Sequence, residues 1–236
     1  YKDVTDTTLV AQFKIIRNEK SEFLFKDADC PVYFMAWTTT PWTLPSNTAL
    51  ALGHEITYIR IRSFNQYTGE PIIVILAQDL YKNYFNEKNA SLELDAYKPG
   101  DKAIPYKILS EHKGRTLEGI RYEQLFPWHQ PKDGDAFRVV IGDFVTTEDG
   151  TGIVHIAPSF GADDFKVAKQ NGIGSLTLVD KTGRFVDGMA EFSGRFVKNA
   201  YDPSLTENDS TVDVDLAVKL KKENKAFKIE KHVHSY

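Results

Sequence analysis

The chain has 236 residues, 42% of them hydrophobic and 26% charged, with a formal net charge of −4. That length fits one large domain or two small ones and is ample for a buried core. No apolar run approaches the roughly 18 residues of a membrane span, and no basic-then-apolar leader opens the chain, so a membrane partner is not expected.

Taken in chain order, most of the sequence reads as strand. The outermost residues, Tyr1-Lys2-Asp3 and His234-Ser235-Tyr236, read as cuts inside a longer protein. Leu9 to Ile16 alternates Leu9, Ala11, Phe13 and Ile15 on one face with a partly polar other face. Cys30, the single cysteine, excludes an intrachain disulfide, suits a reducing compartment and reads as a small apolar residue. Val32–Trp37 and Ile72–Ala77 are continuous apolar runs short enough for buried strands. Glu55–Arg62, Phe137–Ile141, Ile153–Ala157 and Ser175–Val179 are further strand candidates, separated by turn signals such as Lys132-Asp133-Gly134 and Glu148-Asp149-Gly150. Helices are expected at Asp79–Asn86, at Asp163–Gln170 with Asn171-Gly172 closing it, and at roughly Val212 to Asn224. The lysines of the last helix (Lys219, Lys221, Lys222 and Lys225) read as a solvated face. Residues 83–131 are polar and turn-rich, the expected place for a peripheral insertion in a single domain spanning 1–236. Many strands with scattered helices predict an α+β domain around a closed or nearly closed sheet.

Two stretches carry chemistry. Ala36-Trp37-Thr38-Thr39-Thr40-Pro41-Trp42-Thr43-Leu44-Pro45-Ser46-Asn47-Thr48 follows an apolar strand, and its two prolines predict a rigid extended loop. Its hydroxyls, amide and indole N–H can hold a small polar ligand or a water, although threonines at a strand end are also simply good strand formers. Gly150-Thr151-Gly152-Ile153-Val154-His155-Ile156-Ala157-Pro158-Ser159-Phe160-Gly161-Ala162-Asp163-Asp164 reads as tight turn, strand, proline exit and helix start. The helix dipole favours an ionised Asp164, ready for an ammonium group. Taken singly, Asp163 or Asp164 as a helix cap and His155 as a core histidine explain the same residues. The glycines lack the spacing of a dinucleotide fingerprint or a phosphate loop.

Together, Thr38-Thr39-Thr40-Pro41-Trp42-Thr43-Leu44-Pro45-Ser46-Asn47 and Gly150-Thr151-Gly152-Ile153-Val154-His155 onward to Asp164 closely resemble the two signature segments of a synthetase editing domain. That domain, connective polypeptide 1, is inserted in the isoleucyl, valyl and leucyl enzymes. Thr40-Pro41-Trp42 is the isoleucyl form, where the other two typically carry Arg-Pro; Ser46 departs from a frequent alanine. The resemblance implies a β-barrel-centred editing domain with a few peripheral helices. It also implies a hydrolase that deacylates mischarged valyl-tRNA(Ile), valyl-adenylate being left open as a second substrate, within an ATP-dependent isoleucine-tRNA ligase. A missing methylene is worth about 1–3 kcal/mol in an apolar pocket, a magnitude for which this isoleucine–valine pair is the standard example, so binding alone cannot give fidelity. The resemblance assigns the catalytic side to Thr38, Thr39, Thr40, His155 and Asp164, and substrate contacts to Trp42, Asn47, Thr48 and Asp164. Asp164 would pair with the substrate ammonium, the threonines would hold water, His155 would shape or act as base, and Asn47 would fix the loop or touch the terminal adenosine. Loop N–H groups would receive the developing oxyanion. No metal or other cofactor is expected for editing, His232 and His234 lacking partners at metal spacing. Expected partners are the tRNA 3′ end, the valine moiety and the rest of the parent enzyme, in a cytoplasmic monomer. The acidic net charge predicts few phosphate contacts. A non-catalytic amino-acid- or nucleotide-binding barrel and a free-standing editing hydrolase are the competing readings.

Overall fold

The computed structural model describes the backbone of residues 3–235 and the side chains of 5–233; Tyr1, Lys2 and Tyr236 lie outside it, as does the side chain of His234. Among the described residues nine strands form one mixed sheet: β1 (Asp3–Lys14), β2 (Val32–Thr38), β3 (Ala49–Leu52), β4 (Thr57–Phe64), β5 (Pro71–Ala77), β6 (Lys107–Lys113), β7 (Arg138–Ile141), β8 (Ile153–Ile156) and β9 (Ala226–Ser235). Two α-helices accompany them, α1 (Ala162–Gln170) and α2 (Val212–Lys222). The strand order is β6-β4-β5-β2-β8-β3-β7, with β1 paired to β2 and β9, and the sheet curls into a half-barrel with few helices, the α+β arrangement expected.

The continuous apolar runs have the cause inferred for them. On β5, Ile73, Ile75 and Ala77 enter the main core while Ile72, Val74 and Leu76 enter a second core on the other sheet face. Burial on both faces removes any reason for alternation. A third core lies under α1, where Val167 and Ala168 meet Ala49, Ala51 and Ile156.

Three strands escape propensity reasoning. β3 reads Ala-Leu-Ala-Leu, a helix-forming sequence, yet it lies fully buried between β7 and β8; tertiary pairing overrides propensity there. β6 is an edge strand within residues 83–131, with Ile108 and Leu109 exposed, and β9 is a polar partner laid along β1. Conversely, Ser175–Val179 forms only the bridge Val179–Phe185 among named pairings, although Leu176 and Leu178 are buried. The helix expected at Asp79–Asn86 is a 3₁₀ turn over Gln78–Asn83.

The strand that matters most is β2. One edge pairs along its length with β1, from Leu9–Thr38 to Lys14–Tyr33. Its other edge forks: Val32, Tyr33 and Phe34 pair with β5, whereas Trp37 pairs with β8. Thr151 spans the fork, its carbonyl accepting from Ala77 N at 2.8 Å and its hydroxyl donating to the Met35 carbonyl at 2.6 Å. The sheet therefore opens at the C-terminal end of β2, which is where Thr38–Thr40 emerge.

Candidate active site

A cleft of about 450 Å³ fills that opening, lined by Thr38, Thr39, Thr40 and Thr43 on one wall and by Gly150 to His155, Phe160 and Asp164 on the other. The two sequence-defined stretches thus meet across one cavity. Thr38 is buried, Thr40 half-buried and Thr39 exposed at the rim.

The segment after Thr40 is not an extended loop. Pro41–Ser46 is a 3₁₀ turn, because the bonds that close it come from Thr43 N to the Thr40 carbonyl and from Asn47 N to the Leu44 carbonyl, both at 3.0 Å. Neither proline nitrogen is asked for a hydrogen, so two prolines are tolerated where a longer helix would break. The turn brings Thr43 back beside Thr40, with hydroxyl oxygens 3.4 Å apart, and Thr40 stands 3.4 Å from the Thr38 hydroxyl.

The protons on this wall can be placed by elimination. Asn47 Nδ2 lies 2.9 Å from the Ala49 carbonyl, which only accepts, so that atom is the amide nitrogen. It also lies 2.8 Å from His155 Nδ1, which must therefore be unprotonated and accepting. The ring proton of the neutral imidazole is then on Nε2, 3.0 Å from Thr43 Oγ1. Thr43 passes its own proton to the Thr40 carbonyl at 2.9 Å. Behind Asn47, the buried Tyr122 hydroxyl donates to Asn47 Oδ1 at 2.6 Å. Burial lowers the His155 pKa to about 4, so the ring is neutral at pH 7. Its unprotonated nitrogen accepts from Asn47.

On the opposite wall, Gly152 has φ +76°, and a Cβ there would lie 2.5 Å from the Ala77 Cβ, so the turn before β8 admits only glycine. β8 carries His155 into the cavity, and Pro158 leads to Gly161, which starts α1 without a side-chain cap. Asp164 does not cap that helix. Its Oδ2 instead accepts from Ala157 N at 2.9 Å, upstream of the helix, and Gly161 leaves it room: a Cβ there would stand 2.9 Å from the Asp164 Cγ. Burial, the largest influence, raises the Asp164 pKa above the ordinary carboxylate value, whereas the helix dipole alone predicted easy ionisation. Asp163 is exposed beside it.

Three residues expected to contact substrate, Asn47, Thr48 and Trp42, lie off the lining of the cleft. Asn47 is buried and bonded to Tyr122, Ala49 and His155, the arrangement that the loop-fixing alternative describes. Thr48 is fully buried, its backbone joined to Ile156 and Phe137, and stands behind the wall rather than in it. Trp42 packs edge-to-face on Phe160 with centroids 5.0 Å apart, so it backs a lining residue instead of lining the cleft. The loop N–H groups of Thr40, Trp42 and Thr43 are also committed, to Thr38 Oγ1, Asp213 and the Thr40 carbonyl. Sequence reasoning missed Phe144, Thr146 and Phe160 on the lining; Phe160 sits inside a quoted motif, while the other two carry no local signal.

Among the described residues no three His, Cys, Asp or Glu side chains cluster as a metal site, and no helix is long and apolar enough to cross a membrane.

No family model matches the chain. In sequence it is 52% identical to the isoleucine–tRNA ligase of Bacteroides fragilis over 262 aligned residues, covering 100% of this chain and 22% of the ligase. It is 50% identical to that of Porphyromonas gingivalis, covering 100% of this chain and 23% of the ligase. For Treponema denticola the identity is 38%, over 100% of this chain and 20% of the ligase. The chain thus spans 20–23% of the length of these curated relatives. In structure it is similar to the editing domain of the P. knowlesi cytosolic leucyl-tRNA synthetase, with a TM-score of 0.51 and 12% identity over 72% of this chain and 65% of that one. At that identity the likeness speaks for the fold. Matched along its whole length by these ligases, and folded like a synthetase editing domain, the chain belongs to the isoleucine–tRNA ligase family as a segment of it.

Proposed function

We propose that this segment removes wrongly attached valine from tRNA(Ile) by hydrolysing the ester between the amino acid and the terminal ribose, as the proofreading part of an isoleucine–tRNA ligase. The observation that carries the reading is one cleft in which a row of threonine hydroxyls faces a helix-borne carboxylate, Asp164. An aminoacyl ester offers complementary groups: a free ammonium, an electrophilic carbonyl and a ribose leaving oxygen.

Asp164 takes the ammonium. A cation beside the carboxylate restores its ionised form against the burial that opposes it, so substrate and side chain stabilise each other's charge. Thr38, Thr39 and Thr40 hold the water that attacks the carbonyl carbon. Its oxygen bonds to that carbon, the carbon–ribose oxygen bond breaks, and the ribose oxygen leaves with the proton that the water gives up. With three loop N–H groups already committed, threonine hydroxyls meet the charge that develops on the carbonyl oxygen. His155 keeps Thr43 in place and shapes the wall. The ester is already activated, so positioning supplies most of the acceleration and no cofactor is invoked.

The whole cleft is far larger than the two methyls of valine. Size selection therefore falls to a part of the cleft, which we place at the buried Thr38, rather than to the cavity as a unit. The remaining partners proposed are the tRNA 3′ end and the rest of the parent enzyme, in the cytoplasm, with most tRNA affinity supplied outside this acidic segment.

The test is to incubate the full-length protein with valyl-tRNA(Ile) and isoleucyl-tRNA(Ile) and follow deacylation. Valyl ester hydrolysed about tenfold or more faster than isoleucyl ester is the expected result. Binding of either without hydrolysis would turn the reading toward a non-catalytic module.

A further inference from the structure

A second carboxylate reaches the threonine turn from behind, outside the cleft. Asp213 lies in the first turn of α2, and its Oδ1 accepts the Trp42 N–H at 2.9 Å across 171 positions of sequence. Asp213 is not needed as the cap of its own helix, because the Thr211 hydroxyl already accepts from Val214 N at 3.2 Å. The 3₁₀ turn, by contrast, lacks a cap of its own. Thr40 offers no side-chain cap, Pro41 has no N–H, and the Thr43 N–H is returned to the Thr40 carbonyl. Trp42 sits between Thr40 and Thr43, whose hydroxyls line the cleft, so whatever fixes its backbone fixes their aim.

We propose that Asp213 is a positioning residue, which holds the turn from α2 and so sets the rate of ester hydrolysis without touching the substrate. The inference rests on the hydrolytic reading above. The charged groups facing Asp213 are Lys198, which favours its ionised form, and Asp6 on β1, which opposes it; the turn itself, Pro41–Ser46, contains no titratable side chain. On the other elements nearby, Asp215 of α2 pairs with Arg195, and Lys228 of β9 pairs with Glu230. Burial outweighs the rest and raises the Asp213 pKa to about 7. Near neutrality the bond to Trp42 therefore passes between a neutral and a stronger, charge-assisted form.

The experiment uses the full-length protein carrying D213A or D213N. Single-turnover deacylation of valyl-tRNA(Ile) is measured from pH 6 to 8, together with amide hydrogen exchange of the segment around Trp42. D213A is expected to slow the hydrolytic step about tenfold or more with little change in KM, and to raise exchange at the turn. D213N, whose amide oxygen still accepts from Trp42, recovers most of that loss. The ratio of wild-type to D213N rates rises as pH passes upward through 7. Wild-type rate and exchange in D213A would overturn the proposal, as would a D213N variant as slow as D213A or a ratio that does not change with pH. Should the wild-type protein fail to hydrolyse valyl-tRNA, the hydrolytic reading falls. The exchange measurement then still decides whether Asp213 holds the turn: unchanged exchange in D213A sinks it.

Discussion

On the β2 side of the cleft, the Thr38, Thr40 and Thr43 hydroxyls stand beside one another, and Thr43 reaches across to His155 of β8, which Asn47 and, behind it, Tyr122 hold in place. On the β8–α1 side, the Asp164 carboxylate accepts only from backbone N–H groups and carries a burial cost that an incoming cation would relieve. One wall offers neutral hydroxyls held in place by a hydrogen-bonded network behind them; the other presents a carboxylate. Such a site divides its labour between the two walls. Groups that must define a shape are better satisfied by one another, whereas a group that must capture a charged substrate is better left short of partners.

Substitutions on the two walls should therefore fail differently. The largest effect is expected from replacing Thr38, Thr39 and Thr40 together by alanine. The rate of valyl-tRNA hydrolysis should fall by about 10²–10³, with less discrimination against isoleucyl-tRNA, as single-turnover assays on both esters would reveal. Asp164→Ala should lower kcat/KM about 10- to 100-fold while the preference for valine over isoleucine survives, since an ammonium is common to both substrates. Loss of selectivity in that variant would erase the division between the walls. Gly152→Ala probes the fold that joins them: with φ +76° and a Cβ 2.5 Å from Ala77, it should cost about 2–3 kcal/mol in urea unfolding.

The next prediction concerns pH. His155 has a folded-state pKa of about 4, below the ordinary 6.5, so the unfolded chain binds its proton first as pH falls. Its contribution to stability is full above pH 6.5 and is lost between there and 4. From pH 7 to 5 wild type should lose about 1–2 kcal/mol more than His155→Gln, read from urea midpoints at the two pH values. The smallest effect is that of Tyr122→Phe, which leaves Asn47 Oδ1 buried without its donor and should cost about 1 kcal/mol or slightly more in thermal unfolding.

How much of this could be read from the sequence differs between the walls too. Thr38–Thr40 and the run from Gly150 to Asp164 are contiguous, and their types state their chemistry, so the cleft was legible before the fold. Buried strands β2 and β5 were legible because continuous apolar runs need two covered faces. What stayed hidden depends on distant pairing. The Ala-Leu-Ala-Leu of β3 has no strand signal apart from its neighbours, and the 3₁₀ turn is set by which N–H groups two prolines leave available. Tyr122 and Asp213 are ordinary residues in sequence, made part of the site by contacts across 75 and 171 positions. Whether Asn47 fixes the loop or faces the cleft could not be read from the sequence, because a motif gives identity without direction.

The division of labour is tested most directly by pairing Asp164→Ala with an ester that lacks the ammonium. Full-length wild-type protein and the variant are each given valyl-tRNA(Ile) and its α-hydroxy counterpart, in which a hydroxyl replaces the amino group. Wild type should hydrolyse valyl ester about tenfold or more faster than the hydroxy ester, and Asp164→Ala should hydrolyse the two at nearly equal rates. A variant that keeps the full wild-type preference for the ammonium ester would contradict the account.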